Sequence, residues 1–373
     1  MFVSINSFSQ IDTSSHLQIS VITCSPGNEL YSIFGHTALR VIDSSIGSDA
    51  IFNYGTFDFE DPSFLMKFTR GKLDYFLSVE NTSQFFAAYQ YEGRTITEQV
   101  LQLSPQEKRT IELALVKNLT GNNKFYKYDF LFDNCTTRIR DILKTNTNFN
   151  CNQQLVKNNT TFRNMLYIYL DSSAMYWSKL GIDILLGSKI DRQVTIEQST
   201  FLPDYLMFAV DSFNNSNHFI SERKTYPATS LIQSSKINQP LVLFFLLAVL
   251  IILLYYFKNS TTQKTLYYLS ITLVTITGLL GCLLLFMWFG TDHKSCGNNY
   301  NLLWALPTNL VGLFLVVRKS DYKNLYYNVA ILITVILIIA WFWLPQQFNI
   351  SLLPFTVAMG FCYNFLIKYN RPT

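Results

Sequence analysis

The sequence predicts an α+β domain followed by a transmembrane α bundle of about five helices. Three observations carry this. The 373 residues divide near residue 237 into a mixed, polar first part and a second part dominated by long apolar stretches. The first part opens with β-rich segments separated by clusters of turn residues. It then changes to helical patterns, and one of these opens on a cysteine, Cys135.

Leu17–Thr23 is β-rich with partial alternation, and Ser25-Pro26-Gly27-Asn28 is a turn cluster. Gly35–Ile42 is apolar, β-compatible and carries His36; Ala50–Tyr54 reads as a third strand ending at Gly55. Residues 82–91 and 104–118 read as helices, the second starting at Ser104 with Pro105 at its first position, and Gln99–Leu103 reads as a strand between them. Residues 133–143 read Asp-Asn-Cys-Thr-Thr-Arg-Ile-Arg-Asp-Ile-Leu. Asp133 or Asn134 can cap a helix whose apolar stripe is Ile139, Ile142 and Leu143. Phe162–Leu186 is mainly helical and stops at Gly187 and Asp191. The Asn- and Ser-rich stretch 212–239 reads as a linker, which gives a first domain over 1–211 and a membrane domain over 240–373.

Five apolar segments approach the roughly 17–25 residues that a hydrocarbon core requires. They run from about Leu241 to Phe257, Leu266 to Phe289, Leu302 to Val317, Tyr327 to Leu344 and Leu352 to Ile367. The third is the shortest and contains Pro307. Tyr255, Tyr256, Trp288, Trp304, Trp341 and Trp343 crowd the ends as an interfacial belt would. Lys258 and Lys264 mark the first loop, Arg318, Lys319 and Lys323 the third, and Lys368 and Arg371 the tail; the second loop has Lys294 and the fourth no cation. By the positive-inside rule the first and third loops and the tail are cytoplasmic, so the N-terminal domain lies outside, in the periplasm of a diderm bacterium. Met1–Gln18 lacks a basic n-region and a sustained apolar h-region, so the expectation is a truncated or atypical start.

Composition excludes several classes. The net charge of +4 comes from scattered residues, with no basic stripe or zinc-finger spacing, which argues against a nucleic-acid partner. Six cysteines (Cys24, Cys135, Cys151, Cys282, Cys296, Cys362) are too scattered for a disulfide scaffold, and the missing Cys-x-x-Cys argues against zinc or thiol redox chemistry. No metal or organic cofactor is expected. Cys282 and Cys362 fall in apolar segments and read as inert packing residues.

Cys135 is different. In the first turn of a helix, the helix dipole and free N–H groups favour a thiolate. Arg138, three residues on, shares its face and adds positive field. His36 is the histidine in a comparably ordered setting, whereas His16 and His218 lie in polar, loop-like segments. A Cys and a His from distant parts of one chain suggest covalent acyl chemistry, with Cys135 as nucleophile and His36 as its base. A third group should orient the imidazole; Asn53 is the first choice and Asp58 the second. The backbone N–H of Cys135 is the natural oxyanion donor, because first-turn N–H groups have no intrahelical partner.

Several longer runs resemble a known family. They are Thr23-Cys-Ser-Pro-Gly-Asn-Glu-Leu-Tyr-Ser-Ile-Phe-Gly-His36-Thr-Ala, Phe52-Asn-Tyr-Gly-Thr-Phe-Asp58, Arg70-Gly-Lys-Leu-Asp-Tyr75, Phe132-Asp-Asn-Cys135-Thr-Thr-Arg-Ile-Arg-Asp141, Gly181–Asp191 and Phe201-Leu-Pro-Asp-Tyr205. Together with Thr291-Asp-His293 and Asn301-Leu-Leu-Trp304 they resemble the Lnb-type lipoprotein N-acyltransferases of Bacteroidota-like bacteria. The resemblance implies a papain-like domain with His before Cys, similar to permuted NlpC-type and lecithin:retinol acyltransferase-type enzymes. It implies transfer of a fatty acyl chain from a phospholipid donor to the α-amine of a lipoprotein's lipid-modified N-terminal cysteine, through a Cys135 thioester at the inner membrane. Arg138 would then hold a lipid phosphate or pair with Asp141; Tyr54 and Glu29 would shape the pocket; Asp292 and His293, in an outer loop, would contact a headgroup or be solvated. Two other readings stand beside this one: a papain-like cell-wall amidase or peptidase, and a membrane scaffold in which Cys135 and His36 only pack.

Overall fold

The computed structural model describes residues 16–228 and 236–369. The expectation of a truncated start lies outside the described residues. In chain order the elements are β1 (Leu17–Cys24), β2 (His36–Asp43), β3 (Ser48–Phe57), α1 (Phe64–Thr69), β4 (Asp74–Asn81), α2 (Thr82–Tyr91), β5 (Ile96–Leu101), α3 (Pro105–Leu119), β6 (Phe125–Lys127) and α4 (Cys135–Asn146). There follow α5 (Phe162–Ser172), α6 (Tyr176–Leu185), α7 (Ile196–Ser199), α8 (Pro203–Asn217), β7 (Ile220–Tyr226), α9 (Gln239–Tyr256), α10 (Ser260–Phe289), α11 (Asn309–Val317), α12 (Tyr322–Ala340) and α13 (Leu352–Lys368).

Two compact units result. Among the described residues the first holds 16–68, 72–159 and 194–228, and the second holds 69–71, 160–193 and 236–369. The stretch 160–193, expected within the N-terminal domain, thus packs with the apolar helices.

The first unit is built on an antiparallel sheet of order β6-β4-β3-β2-β1-β5-β7. Its central strands bury both faces, so β1 is buried along nearly its whole length, Ser20 and Thr23 included. On one face Ile19, Val21, Leu39, Val41 and Leu77 pack with Ile111 and Leu115 of α3, Ile139 and Leu143 of α4, and Leu206 and Val210 of α8. On the other, Ile22, Cys24, Ala38, Ile51 and Ile96 pack with Phe85 of α2. Arg40 ties the strands together: Nη1 donates to both Glu98 carboxylate oxygens at 3.0 Å, and Nε donates to Asp49 at 2.8 Å. The Tyr226 hydroxyl adds a bond to Glu98 at 3.1 Å, so this buried carboxylate is both paired and hydrogen-bonded.

Residues 212–226, expected as linker, complete α8 and form β7. The strand Ile-Ser-Glu-Arg-Lys-Thr-Tyr is polar because it lies at the sheet edge, where the β5 ladder rather than apolar burial holds it. His218 closes α8 in the left-handed conformation, φ 49°. The cysteines are all free thiols, including the buried Cys24 and Cys151. Cys362 is buried as expected, whereas Cys282 is exposed on α10.

In the second unit, α9, α10 and α12 are long and apolar enough to cross a membrane, and α13 is a shorter apolar helix of 17 residues. The expected span from Leu302 to Val317 contains the nine-residue α11, preceded by a short 3₁₀ turn. Pro307 explains the late start: it lacks an N–H and disfavours helix in the residue before it. Asn309 is buried among these helices with its amide satisfied, donating to Thr277 Oγ1 at 2.9 Å and accepting from Tyr326 OH at 2.9 Å. At Arg163 of α5 the guanidinium is fully buried, with Nη1 on Asp183 at 2.6 Å and Nε on Asp191 at 2.8 Å. Asp183 also accepts from Tyr167 OH and Asn349 Nδ2, each at 2.8 Å.

Arg163→Met leaves Asp183 and Asp191 without their counter-charge. A loss of about 3–5 kcal/mol is expected, read as a lower melting temperature of the detergent-solubilised protein.

Candidate active site

The cap of α4 builds the site. Asn134 accepts from the Thr137 N–H at 2.8 Å, and Thr137 Oγ1 accepts from the Asn134 N–H at 2.8 Å. The remaining amide hydrogens of Asn134 go to the carbonyls of Phe130 at 2.7 Å and Phe201 at 2.9 Å. The cap is therefore saturated, and Cys135 is the first residue of the helix. The Thr37 and Thr136 hydroxyls, 3.1 Å apart and buried, join this helix end to β2.

His36 begins β2. Gly35 before it has φ +80°, and a Cβ there would lie 2.8 Å from the Cys24 carbonyl oxygen, so only glycine lets the chain enter the strand. Side chains alternate along β2, so Thr37 points to α4 while His36 and Ala38 share the opposite face. At the strand's end the imidazole still reaches the sulfur: His36 hydrogen-bonds the Cys135 side chain, and the Thr37 N–H donates to the same sulfur. His36 Nε2 lies 2.6 Å from Asn53 Oδ1. With Nε2 so engaged, Nδ1 is the nitrogen left for the thiol. Gly55, at a bulge with φ +97°, leaves room beside Cys135: a Cβ there would lie 3.9 Å from the Cys135 Cβ.

Glu80 continues the chain of contacts. Asn53 Nδ2 donates to Glu80 Oε1 at 2.7 Å, and Ser78 Oγ donates to the same oxygen at 3.2 Å. A carboxylate can only accept, so it holds the amide NH₂ toward itself and the amide oxygen toward His36. That requires a proton on Nε2 and leaves Nδ1 as the accepting nitrogen. Tyr89 stacks on the imidazole at 6.1 Å and 14°, and the Arg94 guanidinium lies 4.4 Å from the Tyr89 ring centre. Glu80, Tyr89 and Arg94 escape a sequence reading. Their signal appears only once β4 is paired with β3, which sets Ser78 opposite Asn53 and puts Glu80 on the same side.

Burial opposes ionisation of the Cys135 thiol, but the His36 charge and hydrogen bond, with the Thr37 N–H and Thr136 hydroxyl, overcome it and bring the pKa down to about 7. Burial likewise opposes charge on His36, yet the facing sulfur and Asn53 leave its pKa raised. The two groups face each other and titrate as a pair. Cys24 is the contrast: it pairs with His36 across β1 and β2, but full burial pushes its thiol far up.

The other expected site residues are placed as follows. Asp58 caps the Glu60 N–H at 2.8 Å in an exposed turn, and the imidazole partner is Asn53. Tyr54 is a core residue, 1% exposed, whose hydroxyl accepts from Asn118 at 2.7 Å. Arg138 is not paired with Asp141. It makes a bidentate pair with Asp133 at 2.6 and 2.8 Å and lies 3.6 Å from the Tyr126 ring centre, while Arg140 takes Asp141 at 2.8 Å. The reason is helical direction: a side chain in the first turn reaches back toward the N-terminal residues. Glu29 is exposed in the turn before β2, where its backbone bonds Ser32. His293 and Asp292 belong to the second unit, beside Arg70 and Gly71. Among the described residues no group of three or more His, Cys, Asp or Glu is placed to hold a metal ion.

Residues 6–167 match the family model of the Lnb N-terminal periplasmic domain, and residues 232–371 match that of the Lnb transmembrane domain. The chain belongs to the Lnb family. No curated protein and no solved structure matches it. Lnb membership makes this a membrane protein with a periplasmic domain, and the Cys135–His36–Asn53 cluster lies within the matched periplasmic segment.

Iodoacetamide reacts with thiolate, so in this Lnb-family protein Cys135 alkylation should climb through pH about 7. In His36→Gln the burial penalty remains while the charge that overcame it is gone. The midpoint should then move up to or beyond the ordinary thiol value of roughly 8.5. A midpoint unmoved by His36→Gln would mean that the imidazole does not set the thiol's ionisation.

Proposed function

We propose that this Lnb-family protein is a lipoprotein N-acyltransferase. Its periplasmic domain would be a papain-like Cys–His–Asn enzyme that moves a fatty acyl chain from a phospholipid to the α-amine of a lipoprotein's lipid-modified N-terminal cysteine at the inner membrane. The observation that carries the reading is the Cys135 sulfur hydrogen-bonded to His36, whose Nε2 rests 2.6 Å from Asn53. Lnb membership supports the substrate pair, and the membrane helices support lipid chemistry.

The proposed reaction runs in two steps. The Cys135 thiolate attacks the carbonyl carbon of a phospholipid ester. The N–H of the first helical residue faces no intrahelical acceptor and is available for the oxyanion. As the intermediate collapses, the C–O bond breaks and the His36 imidazolium gives its proton to the departing lysophospholipid alkoxide. The acyl chain is then held as a thioester. The lipoprotein α-amine attacks that carbonyl, His36 accepts the amine proton, and the C–S bond breaks to release the amide and regenerate the thiolate. Asn53 keeps the imidazole in the tautomer that both steps use, and Glu80 keeps Asn53 in place.

Anchoring the domain through apolar helices confines enzyme and both lipid substrates to one surface, which raises their effective concentration. A wall amidase or peptidase needs no such extent of apolar helix, and a scaffold needs no thiol brought near neutrality.

Incubation of the full chain with phospholipid carrying a labelled acyl chain, without acceptor, should leave a hydroxylamine-sensitive label on Cys135. Cys135→Ala should abolish it, and His36→Ala should reduce it by at least about 10²-fold. A label-free but hydrolytically active enzyme would favour the amidase. Undiminished lipoprotein maturation in a strain carrying Cys135→Ala would remove the enzymatic reading altogether.

A further inference from the structure

The connection from β3 to β4 presents a surface that the chemistry above does not use. It reads Phe57-Asp-Phe-Glu-Asp-Pro-Ser-Phe-Leu-Met-Lys-Phe68 and carries α1. Phe59 is 72% exposed, Leu65 73%, Met66 65% and Phe68 50%. Large apolar side chains concentrated on one short loop mark a surface meant for an apolar partner.

Behind this tip, aromatic rings run back to the nucleophile. At Gly55 an added Cβ would lie 3.9 Å from both the Cys135 Cβ and Tyr128 Cε2, so the Tyr128 ring borders the sulfur's surroundings. Tyr128 stacks on Tyr75 at 4.6 Å, and Tyr75 meets the edge of Phe57 at 5.1 Å. Phe57 lies 4.4 Å from Phe59 and 5.6 Å from Phe64, and Phe64 stacks on Phe68 at 5.9 Å. Tyr128, Tyr75, Phe57 and Phe64 are all partly exposed, so the run is an open track and not a sealed core. Its rings offer apolar faces of the kind an unbranched hydrocarbon chain covers.

Three observations select a bilayer lipid as the occupant. The same chain carries α9, α10 and α12, each long and apolar enough to cross a membrane, so a lipid phase accompanies this domain. Phe68 is followed directly by Thr69–Gly71, which group with the second unit: the Asp292 N–H donates to the Arg70 carbonyl at 2.9 Å, three residues after α10 ends at Phe289. Arg70 and Lys72 follow the tip with the charge that lipid phosphates attract, while Lys67 is paired with Asp61 at 2.7 Å.

We propose that the α1 tip dips into the outer leaflet of the membrane and that the aromatic run from Phe64 through Phe57 and Tyr75 to Tyr128 seats an acyl chain of a bilayer phospholipid. The seating rests on the acyltransfer reading only for what happens next, when the ester meets Cys135. The binding itself is separate.

The test uses the full chain in phosphatidylethanolamine/phosphatidylglycerol vesicles doped with a phospholipid bearing a diazirine at the end of one acyl chain. After irradiation and digestion, adducts are expected within 57–68 and on Tyr75 or Tyr128. Adducts confined to α9–α13 overturn the proposal. A Phe59→Ser/Leu65→Ser/Met66→Ser variant should lose roughly tenfold or more of the tip adducts, since it removes the exposed apolar surface that lipid would cover. Iodoacetamide alkylation of Cys135 in that variant reports whether the dyad has folded, and if it has not, the adduct map of the unsubstituted chain decides. Retention of full tip adducts by a folded polar variant also overturns the proposal. Tip adducts without any Cys135 thioester would keep the lipid seat and sink acyltransfer. A thioester without tip adducts would do the reverse.

Discussion

The fixed position of the α4 N-terminus against β2 is the constraint on which the site depends. A cysteine in a first helical turn is a common enough placement, but here the turn cannot shift. Asn134 spends its side-chain oxygen on the helix and its amide hydrogens on the Phe130 and Phe201 carbonyls. Thr136 is held by Thr37, the neighbour of His36. The same two residues, 36 and 37, therefore approach the sulfur from strand and backbone together. Loosening this contact would return Cys135 to the fate of Cys24, a buried thiol whose ionisation is suppressed.

The second layer of order runs through β3 and β4. A neutral imidazole has two tautomers of similar energy, and one of them is useless to the thiol. Asn53 selects the useful one at 2.6 Å, but an amide can flip, so the selection holds only if the amide is itself oriented. Glu80 does this, because a carboxylate accepts from the Asn53 NH₂ and offers nothing to its oxygen. The line sulfur–imidazole–amide–carboxylate thus passes orientation from a strand pair to a helix end. The Arg40–Glu98–Asp49 cluster, with Glu98 buried, ties β2, β3 and β5 together.

The second unit solves a different problem. Burying a polar group in this unit is costly unless it is satisfied; Asn309 and Arg163 are satisfied, whereas the Tyr327 hydroxyl is buried with no hydrogen-bond partner among the described residues. Arg163 lies on α5, so the chain leaves the first unit to pack 160–193 with the apolar helices and then returns to finish the sheet with β7. The chain therefore crosses between the two units several times.

Much of this was legible in the residues themselves. The helix at Cys135, its cap, the strands of His36 and Asn53, and the apolar character of the second half all follow from local pattern: a capping residue, period-2 and period-3.6 apolar spacing, and segment length. What local pattern determined was which side chains could be reactive. Tertiary structure decided the rest, because pairing across strands is not encoded by neighbours in sequence. It alone set Glu80 behind Asn53, turned Arg138 back to Asp133, sank Tyr54 into the core, and made a polar stretch near 220 into an edge strand. It also moved 160–193 to the membrane unit, where Asp183 accepts from Asn349 Nδ2 through its carboxylate and from Asn301 Nδ2 through its carbonyl, each at 2.8 Å.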